Sequence, residues 1–367
     1  MLLLSAAGAF TPRADAAPRK APVAVSTASP AALGREAVAV LAGRSDDPDP
    51  EVRAVVAAAW GDLGNAAAIP RLKKSLADDN ADVRIAAAAS LTKLGDVQGL
   101  LALIDATKPI MSGRASSPAE ELRRMARDAA RARAALKLGE AGGDAGIEAL
   151  RSLLGDPAGE VRDAAAAALA RAGQGDSSQF VDALKDPDEG VRAAGARSLG
   201  IIGRDGLEPL KKALSSDASA SVRAEAAEAL GSFSDPASER LLSAALKDKS
   251  GRVRLAAARA LGRRLDPAST AALKNLADQS PPPEMGLTVA AALAARGEPF
   301  DLSLPELTLG QKDAELKLLA VAALARSKAP QARDLLVKAM REDPDSRVRA
   351  AAAADLISEL SRGRGTH

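Results

Sequence analysis

The sequence predicts an all-α chain, an α-solenoid of about ten stacked helical hairpins with a period of about 31 residues, and three observations carry that reading. First, a Val-Arg pair recurs from end to end: Val52-Arg53, Val83-Arg84, Val161-Arg162, Val191-Arg192, Val222-Arg223, Val253-Arg254 and Val348-Arg349, with worn copies in phase at Met285-Gly286 and Leu316-Lys317. From Val161 on, each copy follows the last by about 31 residues, a metre that marks a repeat array. Second, the positions four, five and eight after each valine are small, Ala and Leu, as in Ala226, Ala227 and Leu230. That spacing draws one apolar stripe down a helix. Third, a second apolar run at helical spacing precedes each pair, such as Ile69, Leu72, Leu76 or Ile147, Leu150, Leu154. Asp-Pro or Asp-rich turns join the two helices, because proline ends one helix and short acidic side chains cap the next.

One further spacing is as regular as the valines. An aspartate stands six positions before the arginine in seven units: Asp47 and Arg53, Asp78 and Arg84, Asp156 and Arg162, Asp186 and Arg192, Asp217 and Arg223, Asp248 and Arg254, Asp343 and Arg349. A hairpin of this length with an apolar first helix, an Asp-Pro turn and then Val-Arg-x-Ala-Ala-Ala-x-Ala-Leu resembles the short HEAT-like repeat also found in phycobilisome-lyase relatives, over residues 35–360. The resemblance implies a right-handed superhelix whose Val-Arg helices line the concave face and whose Asp and Arg side chains form a ladder between stacked units. A row of cations could also track a phosphate chain. The aspartate that accompanies each one favours internal pairing.

Taken in order, residues 1–16 read as a signal peptide, an apolar run to Phe10 followed by Ala14-Asp15-Ala16, which makes the chain exported, periplasmic or secreted, with a cytoplasmic protein and a frayed terminus as the alternative. Residues 17–32 are a Pro/Ala-rich linker. The solenoid follows over 33–360. Trp60 takes the place of the leucine eight after Val52 and reads as a large core residue plugging the open end of the array. Units one and two are regular. The interval from Val83 to Val161 is about two and a half times the usual step, which fits one degraded unit around Arg127 and an insertion over 106–118 with Ile110 and Met111 at its tip. The insertion is either a tolerated loop or one used to meet a partner. Units four to seven are the most regular, residues 279–311 are disturbed by Pro281-Pro282-Pro283 and Pro305, and 361–367 form a small basic tail. Stacking ten hairpins at roughly 8 to 10 Å per layer predicts a body on the order of 90 Å long.

The inventory of side chains narrows the chemistry. There is no cysteine or tyrosine, and one histidine, the terminal His367, so His triads, thiol nucleophiles and His or Cys metal sites are excluded. Asp-rich clusters coincide with turns, where capping explains them. With 50 basic and 48 acidic residues the formal charge is +2, which gives no field to draw the chain onto nucleic acid or an anionic membrane. No stretch approaches the roughly 20 apolar residues of a membrane helix. The expected function is a non-catalytic protein-protein interaction scaffold with no cofactor and no metal, docking a protein partner on its concave face. The rivals are a lyase like the phycobilisome relatives and a nucleic-acid-binding solenoid. On the Val-Arg helices, the positions two, six and ten after the valine leave the apolar stripe. There the middle units carry Arg197, Glu228, Arg259 and Arg263, the candidate partner-binding residues.

Overall fold

The computed structural model describes residues 28–109, 117–203 and 205–362. The expected signal segment, most of the linker, the tip of the insertion and the end of the basic tail lie outside the described residues.

Within the described residues the chain is a run of hairpins. The first five pair α1 (Pro30–Gly43) with α2 (Pro50–Asp62), α3 (Ile69–Ser75) with α4 (Ala81–Lys93), α5 (Val97–Thr107) with α6 (Pro118–Ala141), α7 (Asp144–Ser152) with α8 (Gly159–Arg171), and α9 (Ser178–Ala183) with α10 (Glu189–Ile202). The next five pair α11 (Leu207–Ser216) with α12 (Ala220–Leu230), α13 (Pro236–Ala245) with α14 (Gly251–Arg263), α15 (Pro267–Ala277) with α16 (Pro283–Ala295), α17 (Ser303–Leu309) with α18 (Ala314–Leu324), and α19 (Pro330–Glu342) with α20 (Ser346–Arg362). The all-α solenoid of ten hairpins is what the period implied.

Local chemistry sets the ends of these helices. Asp49, Asn80, Asp188 and Ser219 cap second helices by accepting from backbone N–H groups of the first turn. Proline opens α1, α13, α15 and α19, where its fixed φ suits the first turn and its missing N–H removes no helical bond. The same tolerance keeps Pro305 in the first turn of the short helix α17. Gly64, Gly95 and Gly173 take positive φ just past the helices they end.

The aspartates and arginines do form a ladder, with a different pairing from the one the spacing of six suggested. Arg223 donates through Nη1 to the backbone carbonyl of Asp217 at 2.9 Å, while its Nε and Nη2 grip the carboxylate of Asp248, one unit on, at 2.9 and 3.0 Å. Arg53 does the same with Asp78, and Arg192 with Asp217. Each aspartate also accepts from the amide two residues ahead, so one carboxylate shapes the turn and receives the preceding unit. The arginine holds the carboxyls of Asp78, Asp217 and Asp248 below their ordinary values. Lys317 takes the arginine's part against Asp343. In the degraded third unit, which the metre centres near Arg127, the ladder residue is Arg131, buried against Asp156 and the Thr107 carbonyl.

The stack closes on itself. Each second helix packs on the second helices before and after it, and the last of them, α20, packs on both α1 and α2. One core joins Leu33, Leu41, Val52 and Val56 of the first hairpin to Leu336, Met340, Val348 and Leu356 of the last. Ion pairs cross the seam from Arg341 to Glu36 at 2.7 Å and from Arg347 to Glu51 at 2.7 Å. Burial pushes the Asp47 carboxyl up, but the Asp49 amide, Arg44 and Ser346 together bring it below its ordinary value. Ser346 in turn accepts from Arg44 at 2.6 Å and from Arg349 at 2.9 Å. The elongated body expected from ten layers is therefore replaced by a closed ring. Trp60 is buried in the core with Arg71 over its ring at 5.8 Å, but there is no open end for it to plug.

Side-chain size explains the curvature. Closing ten units needs about a tenth of a turn per interface, so across layers roughly 10 Å apart the outer spacing must exceed the inner by about 6 Å. Small residues supply the close inner spacing: a Cβ on Gly200 would stand 2.9 Å from Ala229 Cα, and one on Gly231 would stand 2.9 Å from Ala260 Cα. First helices pack on only some of their neighbours, as members of an outer layer splayed by that wedge do.

Candidate functional site: the inner face of the ring

On a second helix the residues opposite the apolar stripe are those one before the valine and three, six and ten after it, a spacing of four, three and four that keeps one face. In the ring this face points away from the first helices, toward the axis. It is lined with charges, and they pair between neighbouring units. Arg133 meets Asp82 at 2.7 Å, Arg197 and Arg252 both meet Glu225 at 3.0 and 3.2 Å, and Arg259 meets Glu284 at 3.1 Å. Arg263 meets Glu228 at 2.8 Å and also donates to its carbonyl at 2.5 Å. Arg347 bridges Glu315 and Glu51 across the seam.

All four residues singled out from the sequence lie on this face. Glu228 and Arg263 are brought together, while Arg197 and Arg259 each pair with a residue the sequence reading passed over, Glu225 and Glu284. The position two after the valine does not belong to the face: Ala193 and Ala224 are buried there between helices. The partner positions, three after the valine for Glu225 and one before the valine's worn copy Met285 for Glu284, were legible in principle from the four-three-four spacing. Arg197 and Arg259 remain about half exposed, so their pairs are open to exchange with another charged chain.

Asp163, beside this face on α8, is solvent-exposed, yet burial of its surroundings pushes its carboxyl up against the opposing pull of Arg162. With ten inner helices about 8 to 10 Å apart, and each about 5 to 6 Å in radius, the opening they surround is on the order of 15 to 20 Å across.

At the far ends of the second helices a second set of arginines reaches backward. Arg264 donates to the carbonyls of Phe233 and Asp235, and Arg296 to those of Leu261, Gly262 and Arg264, covering the C-terminal carbonyls of the preceding unit. Desolvation lowers the pKa of Arg296. Among the described residues no group of three or more Asp, Glu or His side chains stands together as a metal site would require, and no helix is long and apolar enough to cross a membrane.

Comparison with known proteins places these repeats. No curated protein matches the chain. Solved structures similar to it include human deoxyhypusine hydroxylase, 23% identical over 71% of this chain and 96% of that one, with a TM-score of 0.33. The complex of CpcE and CpcF of phycocyanin lyase from Nostoc sp. PCC7120 is 19% identical over 80% and 94% of the two chains, with a TM-score of 0.31. An engineered protein is 21% identical over 90% and 99%, with a TM-score of 0.32. The model of HEAT repeats matches residues 37–129, 116–200 and 207–294, and with most of the chain covered this protein belongs to the HEAT-repeat family.

Proposed function

We propose that the protein is a non-catalytic scaffold that receives a segment of a partner protein against the inner face of its ring, with Arg197, Glu228, Arg259 and Arg263 among the contacts. The observation that carries this is the continuous inner face, where one stripe of exposed, mixed charge is turned inward from neighbouring units. An opening of about 15 to 20 Å suits a single helix of about 10 to 12 Å or an extended chain, and not a folded domain. A lining of both signs favours a polypeptide carrying both signs over a polyphosphate, which would need a run of cations. We place the protein outside the cytoplasm, on the strength of the apolar run ending at Phe10 and the Ala14-Asp15-Ala16 site. N-terminal sequencing of the native protein would then begin at Ala17.

The direct test exchanges a pair in place. Glu228→Arg combined with Arg263→Glu keeps an ion pair between the same helices, so stability should change by less than about 0.5 kcal/mol. The charges presented to a partner are inverted. The expected result is slower association with the partner recovered from the native host, most evident at low salt. Unaltered association would remove these residues from the binding surface.

A further inference from the structure

Among the described residues the ladder lacks its forward carboxylate at Arg84, Arg162 and Arg254, and the gap at Arg84 opens into a partly apolar cavity between two hairpins. Wherever a complete arginine rung forms, the Nε and Nη2 edge of the guanidinium takes both oxygens of a carboxylate one unit on, as Arg53 does with Asp78 and Arg223 with Asp248. Arg84 keeps only the first half of this arrangement: its Nη1 donates to the carbonyls of Asp78 and Asp79 at 2.6 and 2.9 Å. The residue 25 positions on, where Arg53, Arg192 and Arg223 find their aspartate, is Pro109. Residues 108–118 read Lys-Pro-Ile-Met-Ser-Gly-Arg-Ala-Ser-Ser-Pro, with no acid that could take its place.

Between the second and third hairpins, where the missing rung would stand, lies a cavity of about 350 Å³. Leu76, Ile85, Ala102 and Ala106 give it apolar walls, Arg84, Lys108 and Arg127 contribute positive charge, and Asp105 contributes one carboxylate. Arg131, which also lines it, is already committed to Asp156 and the Thr107 carbonyl. Lys108 pairs with Asp105 at the rim. The volume falls at the lower end of the roughly 300 to 1,000 Å³ of small-molecule sites.

We infer that this cavity is a binding site for a small aliphatic carboxylic acid, whose carboxylate completes the Arg84 rung and whose hydrocarbon body fills the apolar part. The neighbouring rungs define the recognition: a planar, two-oxygen acceptor facing Nε and Nη2, the geometry for which a guanidinium is preorganised. The body adds the burial that an inorganic anion lacks.

Hexanoate is the probe, titrated against the full chain while the methyl signals of Leu76, Ile85 and Ala106 are followed by NMR. The inference expects a saturable perturbation confined to those methyls, weakened at least about tenfold in Arg84→Gln. A second variant, Ala106→Leu, narrows the apolar part of the cavity while leaving Arg84 in place and should weaken the response. Hexanol, with the body and no charge, and inorganic phosphate, with the charge and no body, should each bind at least about tenfold more weakly than hexanoate. The inference is overturned if hexanoate gives no saturable shift, if Arg84→Gln or Ala106→Leu binds it as well as the parent, or if hexanol or phosphate binds as tightly.

Discussion

Arg223 and Arg254 occupy the same place in successive units and donate to the same pair of turn carbonyls, yet only Arg223 has a carboxylate ahead of it. Substituting each by alanine therefore separates the rung from the turn. Arg223→Ala leaves Asp248 half-buried without its ion partner and should lower the stability by roughly 1 to 3 kcal/mol, whereas Arg254→Ala should cost less, and chemical denaturation of the two variants checks the order. The charged residue stranded by the first substitution is Asp248, and not the Asp217 that the spacing of six pointed to. Because the repeat is so even, an arginine that stands six positions after one aspartate also stands 25 before the next, as Arg223 does between Asp217 and Asp248. The sequence therefore shows both neighbours and cannot say which carboxylate is gripped. The same rungs set the response to acid. Asp78, Asp217 and Asp248 are held below their ordinary values when folded, so their contribution is fully present above the unfolded pKa of about 4 and is lost as pH falls through the lower folded values. Thermal unfolding midpoints should be level from neutral pH down to about 5 and fall below about 4. Asp163, raised when folded, works in the opposite sense and blunts the fall slightly.

A helix in this protein is selected for how closely it can be approached as much as for how readily it forms. Gly200 sits inside α10, where alanine would raise helix propensity by about 0.8 to 1 kcal/mol. Its Cβ, however, would stand 2.9 Å from Ala229 Cα and 3.0 Å from Ala229 Cβ, and backbone cannot swing aside as a side chain does. Overpacking of that kind costs about 1 to 3 kcal/mol, so Gly200→Ala should be destabilising on balance, and a raised urea midpoint would show that the contact yields. Helix existence and hairpin order were legible because valine, alanine and leucine keep their phase through every regular unit. The inner face was only partly legible. Arg197, Glu228, Arg259 and Arg263 break the apolar pattern and so stand out, but Glu225, which receives two arginines, sits three after a valine and looks in the sequence like any solvated acid.

At the scale of the whole molecule the joining of the two ends governs the rest, since it turns a concave surface into an enclosed one. The sequence hides this. Open solenoids usually end in units with a polar outer side, and here the first and last hairpins instead carry the same stripe as the middle ones, Leu33, Ala37 and Leu41 at one end and Val348, Ala352 and Leu356 at the other. That shared stripe at the first and last described hairpins was the available signal. It could be read only by asking what would cover those stripes, and the answer is each other. The absence of cysteine makes closure simple to test. In a Glu36→Cys, Arg341→Cys variant carrying a spin label at each position, the ring predicts strong short-range dipolar broadening in the monomer, because the native side chains at these sites approach to 2.7 Å across the seam. Labels separated by most of a ten-layer stack, on the order of 80 to 90 Å and without mutual broadening, would contradict the closed ring.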